Sequence, residues 1–321
     1  INDKVMHMLK AKFNERQQEV PDRVRSQCEI PETAEVLYNK KGTAPGFLFE
    51  RDGKKIFSLP GVPLEMEHLF DKYIRPDLKK IQKGVIGHRV IKTVGLTEAS
   101  LWEKFGPVEP LEILATVASL PSYLEMKVRL SCCSKSSEEV EIRLSKAEDM
   151  IVSSLGEWIY GKDNDTLEGK VGELFLENNK TLAVAESCTG GLIGHRLTQT
   201  PGSSNYFLEG VVAYSNEAKS SRLEVSPSLI RKYGAVSEEV ALAMADGVRK
   251  TSGADIGLSV TGVAGPDASN NKPVGTVFIA ISDEEKSDCK YFCFYSDRSR
   301  NKERSAQAGL DLLRRWFRNR I

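Results

Sequence analysis

Between Thr166 and Ile321 short apolar runs alternate with amphipathic helical stretches, and this alternation restricts the region to an α/β sheet with helices on its faces. The apolar runs are Leu182-Ala-Val-Ala, Gly210-Val-Val-Ala-Tyr and Ile256-Gly-Leu-Ser-Val, followed by a hairpin of Val274 to Ser282 and Lys290 to Tyr295. Between them lie helical patterns: Val171, Leu174 and Phe175 before the first run, a helix through Leu197 after it, and a short helix opened by Ser226-Pro227. A helix capped by Ser237 turns Val240, Met244 and Val248 inward, and the last helix covers Glu303 to Arg318.

In open α/β sheets ligands collect outside the carboxyl ends of the strands, and three such ends here carry unusual residues. The first is Ala185-Glu-Ser-Cys-Thr-Gly-Gly. Ser187 falls where a buried strand turns into a helix, and Thr189, Gly190 and Gly191 open that helix with backbone N–H groups available to a ligand. Ser187 is thus placed as a nucleophile beside an oxyanion or phosphate cradle; the alternative is a plain helix cap. The glycine spacing is neither a Walker loop nor a dinucleotide fingerprint. The second end is Tyr214-Ser-Asn-Glu-Ala-Lys219, where Asn216 can cap a helix and Lys219 lies in its first turn. A cation there is disfavoured by the helix dipole, and a neutral Lys beside a Ser is a workable base; the alternative is a solvated lysine. The third end is Thr261-Gly262-Val-Ala-Gly265-Pro266, able to bring hydroxyl and backbone close to a small ligand, or simply to turn. Asp297-Arg298-Ser-Arg300-Asn-Lys302 precedes the last helix and reads as anion recognition or as a solvated charged face. Cys188 is a rival nucleophile without a suitable histidine.

Two blocks precede this one. Residues 1–83 open with a helical pattern on Val5, Met8, Leu9 and Phe13, continue through two strands joined at Arg51-Asp-Gly-Lys, and close on a helix from Glu65 to Tyr73. Residues 84–161 read as βαββα, a small two-layer α+β domain, with Gly161 to Asp165 as a polar linker. Lys plus Arg is 45 and Asp plus Glu is 45, so the basic excess of a nucleic-acid-coating protein is missing. No run reaches about 18 apolar residues, so no membrane span is expected. Ile1-Asn-Asp-Lys has no basic n-region or apolar h-region, so no secretory signal is expected either. The six cysteines form no C-x-x-C pair and the four histidines are scattered, which points to reduced cytoplasmic thiols and away from a Cys or His metal site.

Taken together, Glu186-Ser-Cys-Thr-Gly-Gly, Tyr214-Ser-Asn-Glu-Ala-Lys, Gly234-Ala-Val-Ser-Glu, Val260-Thr-Gly-Val-Ala-Gly-Pro, Lys272-Pro-Val-Gly-Thr-Val and Asp297-Arg resemble the CinA (competence/damage-inducible protein A) family. The resemblance implies a C-terminal nicotinamide-nucleotide amidase domain over 166–321, hydrolysing nicotinamide mononucleotide (NMN) to nicotinate mononucleotide and ammonia without a metal. It implies Ser187 as nucleophile, Lys219 as base, Tyr214 as a close catalytic residue, and Thr189, Gly190, Gly191, Thr261, Gly262 and Arg298 as substrate contacts. Lys302 stands where the family pattern has a second arginine. Upstream, Leu59-Pro-Gly-Val-Pro-Leu-Glu-Met resembles the end of the family's molybdopterin-binding-like domain, whose relatives act as metal-dependent ADP-ribose pyrophosphatases. Glu65 is the one acidic residue carried over as a metal candidate, and a divalent metal belongs to a complete domain of that kind. The middle block resembles the family's KH-type domain, but its G-x-x-G, Gly84 to Gly87, precedes a strand, which argues against RNA clamping. The expectation is a cytoplasmic homodimeric amidase acting on NMN; the alternatives are an ADP-ribose pyrophosphatase and a non-catalytic nucleotide-binding protein.

Overall fold

The computed structural model describes residues 1–269 and 272–318, and these divide into two compact units, 1–84 and 85–321. The first unit contains helix α1 (Asp3–Glu15), a short α2 (Asp22–Arg25), and an antiparallel sheet of β1 (Glu35–Leu37), β2 (Gly46–Arg51) and β3 (Lys54–Ser58). It ends in α3 (Pro63–Leu69) and α4 (Arg75–Ile81), joined through one π-helical stretch over Phe70–Ile74. Asn2 caps α1 by accepting from the Val5 amide, so the helix starts where its first buried residue is needed. The core there is thin: Val5, Leu9 and Cys28 are buried, with Met6, Phe13 and Val24 packed beside them.

The second unit begins with the small α+β fold expected over residues 84–161. Strand β4 (Val85–Thr93) is followed by α5 (Glu98–Phe105), α6 (Glu109–Glu112), β5 (Thr116–Pro121), β6 (Met126–Ser134), α7 (Ser137–Leu155) and β7 (Ile159–Lys162). The sheet order is β5-β6-β4-β7. The expected βαββα is therefore completed by a fourth strand, because Ile159 to Lys162 pair with β4. Gly161 and Lys162 lie in that strand and not in a linker. Gly87 is inside β4, where a Cβ would lie 2.4 Å from Val140 on α7; this glycine is a packing residue.

The remainder is α8 (Leu167–Glu177), β8 (Leu182–Glu186), α9 (Leu192–Thr198), β9 (Phe207–Val212), α10 (Asn216–Leu223), α11 (Pro227–Tyr233), α12 (Glu238–Ser252), β10 (Ile256–Gly262), β11 (Thr276–Ser282), β12 (Ser287–Cys293) and α13 (Arg298–Arg318). The sheet runs β12-β11-β10-β8-β9, with β10, β8 and β9 parallel and β11 and β12 antiparallel. Every residue of β8 is buried, as a parallel strand covered on both faces must be. Its side chains alternate. Leu182 and Val184 join the core beneath α8, α9 and α13, whereas Ala183 and Ala185 join the core beneath α10, α11 and α12. The second face is close-packed: a Cβ on Gly257 would come within 2.0 Å of the Ala245 carbonyl of α12. Ser237 caps α12, Glu238 and Glu239 occupy its first turn, Arg249 and Lys250 its last, and Gly253 closes it at φ +72°.

The two parts of this unit are fastened together. Arg314 of α13, 1 % exposed, donates to the carbonyls of Glu157 (2.7 Å) and Ile159 (3.3 Å), a few residues before the expected Gly161 to Asp165 linker.

Candidate active site

Strand alternation decides the site. Glu186 continues the even face of β8 and points under α9; Ser187, on the odd face, meets α10. Lys219 of α10 donates to Ser187 Oγ at 3.1 Å, to the Ala213 carbonyl at 2.9 Å and to the Tyr214 carbonyl at 3.4 Å. Its side chain is 2 % exposed and forms no ion pair with a carboxylate among the described residues. Burial pushes its pKa below the ordinary 10.5, and the nearby Cys188 acts in the opposite direction without reversing this. The helix cap is Ser215, which accepts from the Ala218 amide, and not Asn216; Lys219 therefore lies one position deeper than the first turn, and burial does the work assigned to the dipole.

The Gly-rich turn differs from expectation in an informative way. Glu186, 1 % exposed, accepts from the amides of Gly191 (3.0 Å), Ile193 (3.1 Å) and Gly194 (2.8 Å). The N-terminus of α9 is thus filled by the protein's own carboxylate, and the Gly191 N–H is not available to a ligand. The Gly190 amide donates to the Ser187 carbonyl at 3.2 Å. Gly190 and Gly191 have φ of +62° and +92°, which explains the glycine pair sterically. The amides of Cys188 and Thr189 have no acceptor among the described residues, and Thr189 is fully buried with an unpartnered hydroxyl. Cys188 is 5 % exposed, and burial pushes its thiol up to about 12.

The third strand end braces the site. Thr261, 1 % exposed, donates its hydroxyl proton to the Ala235 carbonyl at 2.8 Å, tying β10 to the loop before α12. A Cβ on Gly262 would lie 2.7 Å from the Thr276 carbonyl, so this glycine serves strand packing. The Thr261 hydroxyl proton is thus engaged within the protein. Arg298, by contrast, joins two of the motifs: it donates to the Gly265 carbonyl at 2.5 Å and to the Tyr214 hydroxyl at 2.8 Å. Tyr214 is 60 % exposed, and its hydroxyl is engaged by Arg298, so its ring belongs to the cationic edge of the site. Asn301, buried one turn on, donates to the carbonyls of Ala264 (3.1 Å) and Ser296 (2.9 Å).

One residue escaped sequence reasoning, and another takes a place that the sequence left open. Glu186 was read only as part of a motif; a carboxylate directly before Ser and five positions before the second Gly was the available signal. Lys302 proves to stand over the nucleophile turn, 3.5 Å from where a Gly190 Cβ would be, with no hydrogen bond or ion pair among the described residues. In the other unit, Glu65 accepts from Asn39 Nδ2 at 2.6 Å, and no group of three His, Cys, Asp or Glu side chains suited to a metal exists among the described residues. No helix among them is long and apolar enough to cross a membrane.

Comparison with known proteins gives two family matches: the CinA C-terminal domain over residues 164–317 and the damage-inducible protein CinA KH domain over residues 88–161. A competence-damage inducible protein of Caldicellulosiruptor saccharolyticus is 41 % identical over 322 residues, covering 99 % of this chain and 78 % of its own length. The chain belongs to the CinA family. A CinA-like protein of Cytophaga hutchinsonii is likewise 41 % identical over 317 residues, with 98 % and 76 % coverage. The crystal structure of competence damage-inducible protein A from Klebsiella pneumoniae is 29 % identical and covers 48 % of this CinA chain and 97 % of its own, with a TM-score of 0.47.

Proposed function

We propose that this chain is a nicotinamide-nucleotide amidase that converts NMN to nicotinate mononucleotide and ammonia through Ser187 and Lys219. The observation that carries the reading is the buried Lys219 amine, 3.1 Å from Ser187 Oγ and without a carboxylate partner among the described residues. An amine in that setting loses its proton more readily than a solvated lysine and can act as a base. Lys219 takes the Ser187 proton as Oγ adds to the carboxamide carbon. It then returns that proton to the departing nitrogen, which leaves as ammonia. Water attacks the resulting serine ester with Lys219 again as base, releasing the carboxylate and restoring Ser187.

The amides of Cys188 and Thr189 are the donors we assign to the oxyanion, since those of Gly191, Ile193 and Gly194 are held by Glu186. Arg298 and Lys302, neither paired with a carboxylate among the described residues, suit the substrate phosphate, with Tyr214 beside Arg298. No step in this sequence draws on a metal. The test is ammonia release from NMN in EDTA by the parent chain, Ser187→Ala and Lys219→Met. Release by the parent that falls at least about a thousandfold in both variants supports the dyad. Near-parental turnover in either variant removes it.

A further inference from the structure

The KH-type fold and the C-terminal fold line an open cleft of about 570 Å³, whose lining does not include Ser187 or Lys219. That volume is within the range of small-molecule sites. Its walls are largely apolar and aromatic: Tyr123 and Trp158 from the KH-type side, Phe292 and Phe294 from β12 and the segment after it. The two phenylalanine rings stack at 5.5 Å with 15° between their planes, which presents a stiff aromatic surface. Polar residues also line it: Thr97, Ser122, Glu125, Lys290, Asp311 and Arg315 have hydrogen-bond or ion-pair partners of their own, whereas two others have none among the described residues. Arg304 makes no hydrogen bond or ion pair among the described residues. Gln307 is 6 % exposed, and its carboxamide oxygen is buried without a donor. Gln307 lines the cavity, and turning its carboxamide over about the last torsion presents oxygen in place of nitrogen, so the same side chain can accept from a ligand N–H.

Arg304 and Gln307 are three residues apart on α13, so they project from one face of the helix. The neighbouring cations differ in this respect: Arg315 is held by Asp311 and Glu157 and lies over the Trp158 ring at 4.6 Å. The cavity therefore offers aromatic walls, one carboxamide, and one arginine without a hydrogen bond or ion pair among the described residues. A glutamine carboxamide is complementary to the donor–acceptor edge of a purine, aromatic side chains stack on its faces, and an arginine fork accepts a phosphate.

We propose that this cavity binds a purine nucleoside monophosphate, at a site separate from that of the amide substrate. The proposal does not depend on the amidase reading. AMP and GMP titrated into the full chain, followed by calorimetry and by Trp158 fluorescence, provide the test. At least one of the two is expected to bind saturably, with affinity reduced about tenfold or more by Arg304→Met and by Gln307→Leu. The matching nucleoside, which lacks the phosphate, is expected to bind the parent about tenfold more weakly than its nucleotide and to bind Arg304→Met as it binds the parent. Saturating NMN should leave the titration unchanged, as should Arg298→Ala. Ala308→Trp, which fills the cavity from α13, should abolish binding while the thermal transition is retained. Failure of both nucleotides to bind the folded chain overturns the proposal. So does binding that NMN displaces, or binding that Arg298→Ala removes and Arg304→Met does not.

Discussion

Glu186→Gln isolates what the buried carboxylate does for the nucleophile turn. In the parent, one oxygen accepts from Gly191 and Ile193 and the other from Gly194. The amide is nearly isosteric, but one of its two positions becomes an NH₂ group that faces a backbone N–H. If that position replaces Oε1, the Gly194 bond is lost and the two remaining bonds lose their charge assistance. Hydrogen bonds to charged groups contribute about 1.5–3 kcal/mol and neutral ones about 0.5–1.5 kcal/mol, so the loss sums to about 2–4 kcal/mol after allowing for the lower desolvation cost of an amide. The chain has more than one folded unit, so a single global unfolding energy is a poor readout. Amide hydrogen exchange is local. At about 1.4 kcal/mol per tenfold, exchange at Gly191, Ile193 and Gly194 should accelerate roughly 30- to 1000-fold, while amides of α7 in the KH-type fold stay at parental rates. The Ser187–Lys219 distance depends on the same turn, so amide hydrolysis should fall mainly in kcat. Exchange rates within about threefold of the parent at all three amides would refute the view that the carboxylate holds this turn.

Further outcomes follow from the same geometry. Lys219 has its pKa lowered by burial, so below that pKa both folded and unfolded chains hold the proton, and between it and 10.5 only the unfolded chain does. Stability should therefore rise with pH across that window, and the rising limb of kcat/KM should lie below 10.5; a limb at or above 10.5, or one that persists in Lys219→Met, contradicts the assignment. Arg298→Ala should lower kcat/KM for NMN about 10- to 100-fold, mostly through KM, and Arg298→Lys should restore only part of it, measured by steady-state ammonia release. Cys188, with its thiol near 12, should resist iodoacetamide at pH 8 in a folded chain in which exposed Cys133 reacts, and Cys188→Ala should keep amide hydrolysis within about threefold; peptide mapping by mass spectrometry checks the first point.

Local pattern made much of this molecule legible. The strand runs around Leu182 and Ile256, the Ser237 cap and the Arg51-Asp-Gly-Lys turn stand where the sequence places them, because periodicity and cap chemistry are written within a few residues of each other; the run expected over Gly210 to Tyr214 instead pairs from Phe207 to Val212. The nearness of Ser187 to Lys219 was also inferable in outline, since both follow strands and the carboxyl ends of parallel strands converge. Tertiary structure decided the rest. Gly190 and Gly191 suggested an open anion cradle, yet the preceding strand register aims Glu186 into that helix end and fills it. Thr261 carried the composition of a ligand loop, yet its hydroxyl proton goes to the Ala235 carbonyl. Ile159 to Lys162 became a strand because β4 offered an unpaired edge, a partner about seventy residues away in sequence. Lys302 and Arg298 reached the site through the packing of α13 across the sheet. The sequence by itself determined which residue types and elements exist; sheet order and side-chain burial determined which of them meet, because the free energy of a buried polar group depends on partners that the chain supplies only after it has folded.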